Sequence, residues 1–329
     1  MTRARTLEVA IEDWPLIKPF AISRSVDLSA VVVVVRIQEG DAIGRGEATP
    51  YAHYGETPES VVAAIEACRD EIESGSPPPV ERLNLRGAAS NAVDCALVDL
   101  AAKRAGVPAW SMLHMQEPTA LVTTATVTLD TPERMAADAA AWADFKILKL
   151  KLGEGEADVE RVAAVRRARP DARLICDANE GWSLDQLANY AGPMSALGIE
   201  MIEQPCKAGQ DEGLRNLKLG MPLCADESCH VAADVEALVG KYQLVSIKLD
   251  KTGGLNGALD LAAAAKNHGM GVMMGCMLST SLAIAPGLLA GQGARYVDLD
   301  GPTTLARDRD PPMRFENGMV HPASPVLWG

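Results

Sequence analysis

Two rhythms of apolar positions divide the chain. Residues 30–38, AVVVVVRIQ, are β-branched and strand-like, and GDAIGRGEATP after them has the glycine spacing of turns with a second short strand, which predicts an antiparallel start. Over 58–74 and 88–105 apolar residues recur at helical spacing, the second segment stopping at Gly106 with Pro108 beyond it. From Ala120 the pattern becomes a strict alternation of strand and helix. Strands are expected at ATVTL (125–129), KILKLKL (146–152), RLICDAN (173–179), IEMIEQP (199–205), PLCADES (222–228), LVSIKLD (244–250), VMMGCML (272–278) and RYVDLD (295–300). Helical segments follow most of them, at 131–143, 158–168, 183–197, 232–240 and 257–267. Eight β-α steps in about 185 residues fit a closed parallel barrel better than an open sheet. The expected architecture is therefore α/β: an α+β unit over 1–118, a (β/α) barrel over 119–303, and a turn-rich segment, 304–329, returning to the first unit.

Composition narrows the function classes. The 329 residues are 48% hydrophobic, enough for a large core, and the net charge of −13 leaves no basic excess to attract nucleic acid or an anionic membrane. A small-molecule ligand or a metal is the expected partner. Near the start, Glu8, Glu12 and Asp13 interrupt any apolar stretch of a secretion signal, so a cytoplasmic location is expected. The unbroken apolar stretch GMGVMMGCML at 269–278, which Ser279 and Thr280 interrupt, is far short of the ~18 residues of a membrane span. The seven cysteines include no CxxC pair, which suggests neither a disulfide framework nor a zinc knuckle. They read as small buried apolar residues, with Cys176 and Cys276 inside predicted strands.

Charge sits where a buried barrel strand should have none. Lys149 and Lys151 in FKILKLKLG are two apart and point to one side. Other strand ends carry Asp177, Glu203, Asp226, Lys248, and Asp298 with Asp300. From Lys151 to Asp298 the intervals are 26, 26, 23, 22 and 50, the last being two steps, so these groups converge on the carboxyl-terminal mouth of the barrel. A solvated loop charge explains any one of them; three carboxylates in register need a compensating cation. Oxygen-only ligands favour a hard ion such as Mg²⁺ over zinc. Asn179, on the same side as Asp177, and Glu227, next to Asp226, are expected to support the ligands. A salt bridge would account for one lysine, but not for Lys248 on the opposite wall as well. A substrate held at the metal would have one lysine on each face, Lys149 lowering the pKa of Lys151. That layout suits removal of a proton α to a carboxylate, the metal stabilising the enediolate.

KLK (149–151), DANEGW (177–182), IEQP (202–205), ADES (225–228) and IKLDKTGG (247–254) together resemble the muconate-lactonizing subgroup of the enolase superfamily, over essentially the whole chain. The resemblance implies an enolase-type, modified TIM barrel with its amino-terminal cap, Lys151 and Lys248 as acid and base, and Asp177, Glu203 and Asp226 as Mg²⁺ ligands. GEATPYAHYGET (46–57), ADESCH (225–230), GCMLSTS (275–281) and DLD (298–300) are similar to dipeptide epimerases. This implies that Asp298 and Asp300 hold a free α-ammonium, with Met277 and Ser279 also at the substrate. A structural turn before Gly301-Pro302 is the plainer reading of DLD. FAISRSV (20–26) is expected to be a loop over the site, where Arg24 either binds an acidic side chain or is a solvated surface arginine. His53 and Tyr54 are placed on a second loop of the lid, and His230 at a helix start.

The expected reaction is epimerisation of the C-terminal residue of an L,L-dipeptide. Muconate-type cycloisomerisation, N-acylamino acid racemisation and o-succinylbenzoate synthesis on the same scaffold are the alternatives, against which DLD weighs. A Schiff-base aldolase leaves the three carboxylates unexplained, and nothing favours a non-catalytic binding barrel. Self-association is expected from the family resembled.

Overall fold

The structure, a computed structural model, describes residues 5–74 and 83–329. Strands β1 (Arg5–Ile22), β2 (Ser25–Glu39) and β3 (Ala42–Ala48) form an antiparallel sheet in that order. The valine run of β2 is buried on both faces, as the period-2 geometry of a strand requires. Val33, Val35 and Ile37 face Ile65, Ile72 and Ala92 of the flanking helices, while Val32 and Val34 join the core shared with the barrel. The sheet is therefore a middle layer. Helix Gly87–Ala105 lies directly on β3. An added Cβ at Gly44 would stand 2.1 Å from the Ala96 carbonyl oxygen, and one at Gly46 2.1 Å from that of Ala92, so glycine is what permits this approach.

The alternation after residue 120 forms a barrel. After the short β4 (Leu121–Val122) come β5 (Thr124–Val127), β6 (Ile147–Lys151), β7 (Arg173–Asp177), β8 (Ile199–Glu203), β9 (Leu223–Ala225), β10 (Leu244–Ile247), β11 (Gly271–Met274) and β12 (Tyr296–Val297). They make one eight-stranded parallel sheet in sequential order. Between its ends, β5 and β12, side chains make the join: Leu299 N–H donates to Thr123 Oγ1 at 2.9 Å, and Thr126 N–H to Asp300 Oδ2 at 2.6 Å. A last pair, β13 (Phe315–Glu316) and β14 (Met319–Val320), pairs with β4. The chain then runs to helix Gly87–Ala105, where Trp328 Nε1 donates to Cys95 O at 3.1 Å and Gly329 N–H to Asp99 Oδ1 at 2.7 Å.

The barrel interior is layered by the same period of two. Ile175, Met201, Cys224 and Tyr296, with Leu244 and Met273, form a small apolar cluster of their own. Two residues further along their strands come Asp177, Glu203, Asp226 and Asp298. An apolar plug thus underlies a charged layer.

Several expected strands end early. The ladder stops at Ala225, Ile247, Met274 and Val297, so Asp226, Lys248, Cys276, Asp298 and Asp300 stand on the loops beyond. Residues 249–250, read as strand end, belong to one helical turn, Leu249–Thr252, capped by Gly253. Helix Ser281–Ala290 was not marked by periodicity, because it is buried nearly all round and has no polar face. Among the described residues no helix is long and apolar enough to cross a membrane.

Candidate active site

Backbone register sets the first row of the site. Lys151 on β6 pairs with Asp177 on β7, which pairs with Glu203 on β8. Three charged side chains therefore stand side by side at the same height. Asp226 follows β9 by one residue, and Lys248 follows β10 by one. Strands β6 and β10 are four apart in an eight-stranded order, which puts Lys151 and Lys248 on opposite walls.

Lys149, one layer below Lys151 and 1% exposed, is where carboxylates converge. Its Nζ lies 2.6 Å from Glu203 Oε2, 2.8 Å from Asp298 Oδ2 and 3.3 Å from Asp177 Oδ2. Burial opposes its charge, but Asp298, Glu203 and Asp177 outweigh it and hold the ammonium well above the usual lysine range. The ammonium expected to lower the pKa of Lys151 is thus itself paired with carboxylates. Its charge is enclosed by three anions.

Lys151 Nζ donates to Asp177 Oδ2 at 2.7 Å and to Asn179 Oδ1 at 3.3 Å. Lys248 Nζ donates to Asp226 Oδ2 at 2.7 Å. Here too burial opposes the charge and Asp226 outweighs it, raising the lysine well above its ordinary value. Asp177 and Asp226 are pushed down despite burial, by Lys151 and Lys149 for the first and by Lys248 and Lys251 for the second. Glu203 is pushed up, because burial outweighs Lys149.

Two groups missed in the sequence hold this row from behind. Lys251, fully buried, donates to Asp226 Oδ1 at 2.5 Å and to the carbonyls of Asp226, Cys229 and Ser246 at 2.6, 2.9 and 2.9 Å. Its position three residues after Lys248 was the available signal. Gln204, at φ 32°, receives Asp226 N–H on Oε1 at 2.9 Å and donates from Nε2 to Cys206 O, Ser228 Oγ and Tyr242 Oη. Asn179 and Glu180 also take positive φ, 44° and 67°, so strained backbone marks the two loops that follow Asp177 and Glu203.

The cap closes over this row. FAISRSV spans the β1–β2 turn at Ser23 and Arg24. Arg24 donates to Tyr51 Oη, to Asn179 O at 3.0 Å and to Glu227 Oε1 at 2.6 Å, so it is no free surface arginine. Glu227 is pushed up to about 7 by burial and by Asp226 and Asp177. His53 Nε2 pairs with Glu180 at 2.8 Å, and the Tyr54 ring meets that of His230 edge-on at 4.5 Å. His230 N–H donates to Asp234 Oδ2 at 2.8 Å, ahead of the short helical turn Ala232–Asp234.

A cavity of about 360 Å³ lies between cap and barrel. Arg24, Lys149, Lys151, Asn179, Lys248, Met277, Asp298 and Asp300 line it, while Asp177, Glu203 and Asp226 sit behind the lysines at 1% exposure or less. Ser279 departs from expectation. It is buried outside the lining, its hydroxyl donating to Met277 O at 3.1 Å, because the loop after β11 turns back there against Gly301.

The donor chemistry fits a hard divalent cation in two respects. The candidate ligands are all carboxylates, and both Glu203 oxygens are buried without a hydrogen bond, the 2.6 Å approach of Lys149 being an ion pair lacking hydrogen-bond geometry. Among the described residues no three acidic, His or Cys side chains form a ready-made cage, since lysine ammoniums stand between them. Asp177 and Glu203 nevertheless face one point, now held by Lys149 Nζ.

Comparison with known proteins agrees with this geometry. Residues 4–113 match the mandelate racemase/muconate lactonizing enzyme N-terminal domain and residues 133–325 the enolase C-terminal domain-like family. The L-Ala-D/L-Glu epimerase of Escherichia coli is 44% identical over 96% of this chain and 99% of its own. The N-acetyl-D-glutamate racemase of a Pseudoalteromonas species is 39% identical over 91% and 95%. An enolase family member from Agrobacterium tumefaciens, solved with sodium and L-Ala-L-Glu, superposes with a TM-score of 0.96 at 43% identity over 99% of this chain and 100% of that one. A dipeptide epimerase from Enterococcus faecalis, solved with Mg and L-Leu-L-Tyr, gives 0.91 at 28% identity over 98% and 97%. The chain belongs to the mandelate racemase/muconate lactonizing enzyme family of the enolase superfamily, among the isomerases that comprise the dipeptide epimerases and related racemases.

Proposed function

We propose that the protein epimerises the C-terminal residue of an L,L-dipeptide, with Lys151 and Lys248 working on opposite faces of its α-carbon. The observation that carries the reading is the pair itself: two lysines on opposite walls of one mouth, each hydrogen-bonded to a different carboxylate of the row between them. One lysine takes the α-proton and the other returns a proton from the far side, which inverts the centre. Asp177 and Asp226 hold the two ammonium groups in position. Asp177, Glu203 and Asp226 would hold Mg²⁺, which supplies positive charge where negative charge builds on the substrate's terminal carboxylate. The DLD segment takes the free amino terminus, and Arg24 at the lid takes an acidic side chain in exchange for Glu227. The layers of the cap keep water from the α-carbon while it lacks its proton.

The test is proton NMR of L-Ala-L-Glu with the protein and Mg²⁺ in D₂O. Loss of the glutamyl α-proton signal with appearance of the L,D diastereomer is expected, and chelation of the metal should stop both. N-acylamino acid racemisation is the second reading, favoured by the 39% identity to an N-acetyl-D-glutamate racemase. Exchange of N-acetylglutamate without exchange of any dipeptide would establish it instead.

A further inference from the structure

Two of the three row carboxylates are set by the barrel ladder, since Asp177 and Glu203 end their strands in register with each other. Asp226 is placed differently. β9 ends at Ala225, one residue short of it, and the side chain of Gln204 takes over where the strand stops. Gln204 is fully buried and follows Glu203 directly. Its backbone N–H donates to Cys224 O at 2.9 Å, and its Oε1 receives the N–H groups of Asp226 at 2.9 Å and Ser228 at 3.1 Å. Its Nε2 lies 2.8 Å from Cys206 O, 2.8 Å from Ser228 Oγ and 3.1 Å from Tyr242 Oη. Chemistry fixes which way the amide points, because two N–H donors meet one end and a carbonyl meets the other.

The amide is itself anchored. Ser228 Oγ and Tyr242 Oη both donate to Asp211 Oδ2 at 2.8 Å, and Lys241 Nζ donates to Asp211 Oδ1 at 2.9 Å. Asp211, 2% exposed, lies on the segment between β8 and β9. A chain of partnered polar groups therefore runs from the Asp226 N–H through Gln204 to Asp211 and Lys241. A buried network whose members all have partners is stiff. That stiffness bears on the cation, since Mg²⁺ demands short, near-octahedral oxygen contacts whereas the larger Ca²⁺ accepts longer and more variable ones.

We infer that Gln204 is a positioning residue that sets the width of the carboxylate row, and with it the preference of the row for a small divalent cation over a larger one. It fixes Asp226 relative to Glu203, the one gap in the row that the ladder leaves open. This inference rests on the reading above that Asp177, Glu203 and Asp226 hold Mg²⁺.

The experiment is calorimetric titration of chelator-treated, dialysed protein with MgCl₂ and, separately, with CaCl₂, in the absence of substrate. Gln204→Met removes the amide at similar length and should lower the ratio of Mg²⁺ to Ca²⁺ affinity by about tenfold, the lower end of what partners behind metal ligands contribute. Ser228→Ala leaves the Gln204 bond to Asp226 in place but removes one anchor of the amide, and should lower the ratio by about threefold, the scale of one neutral hydrogen bond. A merely structural role would weaken both cations by the same factor, so an unchanged ratio in Gln204→Met would overturn the inference. If Gln204→Met does not fold, an unchanged ratio in Ser228→Ala overturns it instead. A wild type that binds neither cation would overturn the reading of the row as a metal site, which separates the two failures.

Discussion

Arg24 Nη2 stands 2.6 Å from Glu227 Oε1, joining the turn of the cap hairpin to the loop that follows Asp226. The second oxygen of Glu227 is buried without a hydrogen bond, so the pair is held from one side only. An acidic substrate side chain can take Arg24 by displacing this internal carboxylate. Arg24→Met is predicted to raise KM for L-Ala-L-Glu by about tenfold or more, the scale of a hydrogen bond between charged groups. The effect on L-Ala-L-Ala should be several-fold smaller. Steady-state kinetics on both dipeptides decides it, and equal losses would mean that Arg24 only fastens the lid.

Lys251 is predicted to be indispensable to the fold of the site while never touching substrate. Among the described residues its hydrogen-bond partners are protein oxygens, and Asp226 is its one carboxylate partner. Lys251→Met leaves Asp226 with Lys248 alone and should destabilise the protein by about 3 kcal/mol, the lower end for breaking a buried pair. Urea unfolding in the presence of a chelator measures this without the metal. A loss below about 1 kcal/mol would show that the charge of Asp226 is balanced elsewhere.

Asp250 gives a dependence of stability on pH with a definite sign. Burial pushes its carboxyl up to about 7, against hydrogen bonds from Thr49 N and Asn91 Nδ2, both received on Oδ1. A raised folded pKa means that the contribution is full below the ordinary value near 4 and is lost as pH rises through about 7. Asp250→Asn stays neutral, and its Oδ1 can keep both hydrogen bonds. Relative to wild type the variant should gain about 2–3 kcal/mol between pH 5 and pH 8, at about 1.4 kcal/mol per unit of the window below 7. Urea midpoints at four pH values test this, and parallel profiles would contradict it.

The glycines of β3 offer a check on the cap alone. Gly46→Ala should destabilise by about 1–3 kcal/mol, because its Cβ would meet Ala92 O at 2.1 Å, a backbone atom that cannot swing aside. Thermal unfolding reads the loss. An unchanged midpoint would show that helix Gly87–Ala105 can move off the sheet.

The barrel was legible in the sequence because strand and helix periods alternate strictly after residue 120, and the charged row because its members recur once per step. β1 was not legible. It carries Pro15 and Pro19, which argue against a strand, yet it lies at the sheet edge and its register shifts between Pro15 and Phe20, where missing donors cost little. The partners of Lys149 were illegible for another reason. Period 2 gives the side to which a lysine points, whereas three carboxylates from β7, β8 and the loop after β12 meet it only once the barrel has curved. Ser279 shows the same limit on a loop, where no period tells which side chain faces the cavity.

Exchange at the α-carbon by Lys151→Ala and Lys248→Ala, followed in D₂O on L-Ala-L-Glu and L-Ala-D-Glu separately, tests the two-lysine account most directly. Neither variant should epimerise. Each should still exchange the α-proton of one diastereomer, and the two variants should retain opposite ones, since the remaining lysine faces one side. Normal epimerisation by either variant, or retention of the same diastereomer by both, would contradict it.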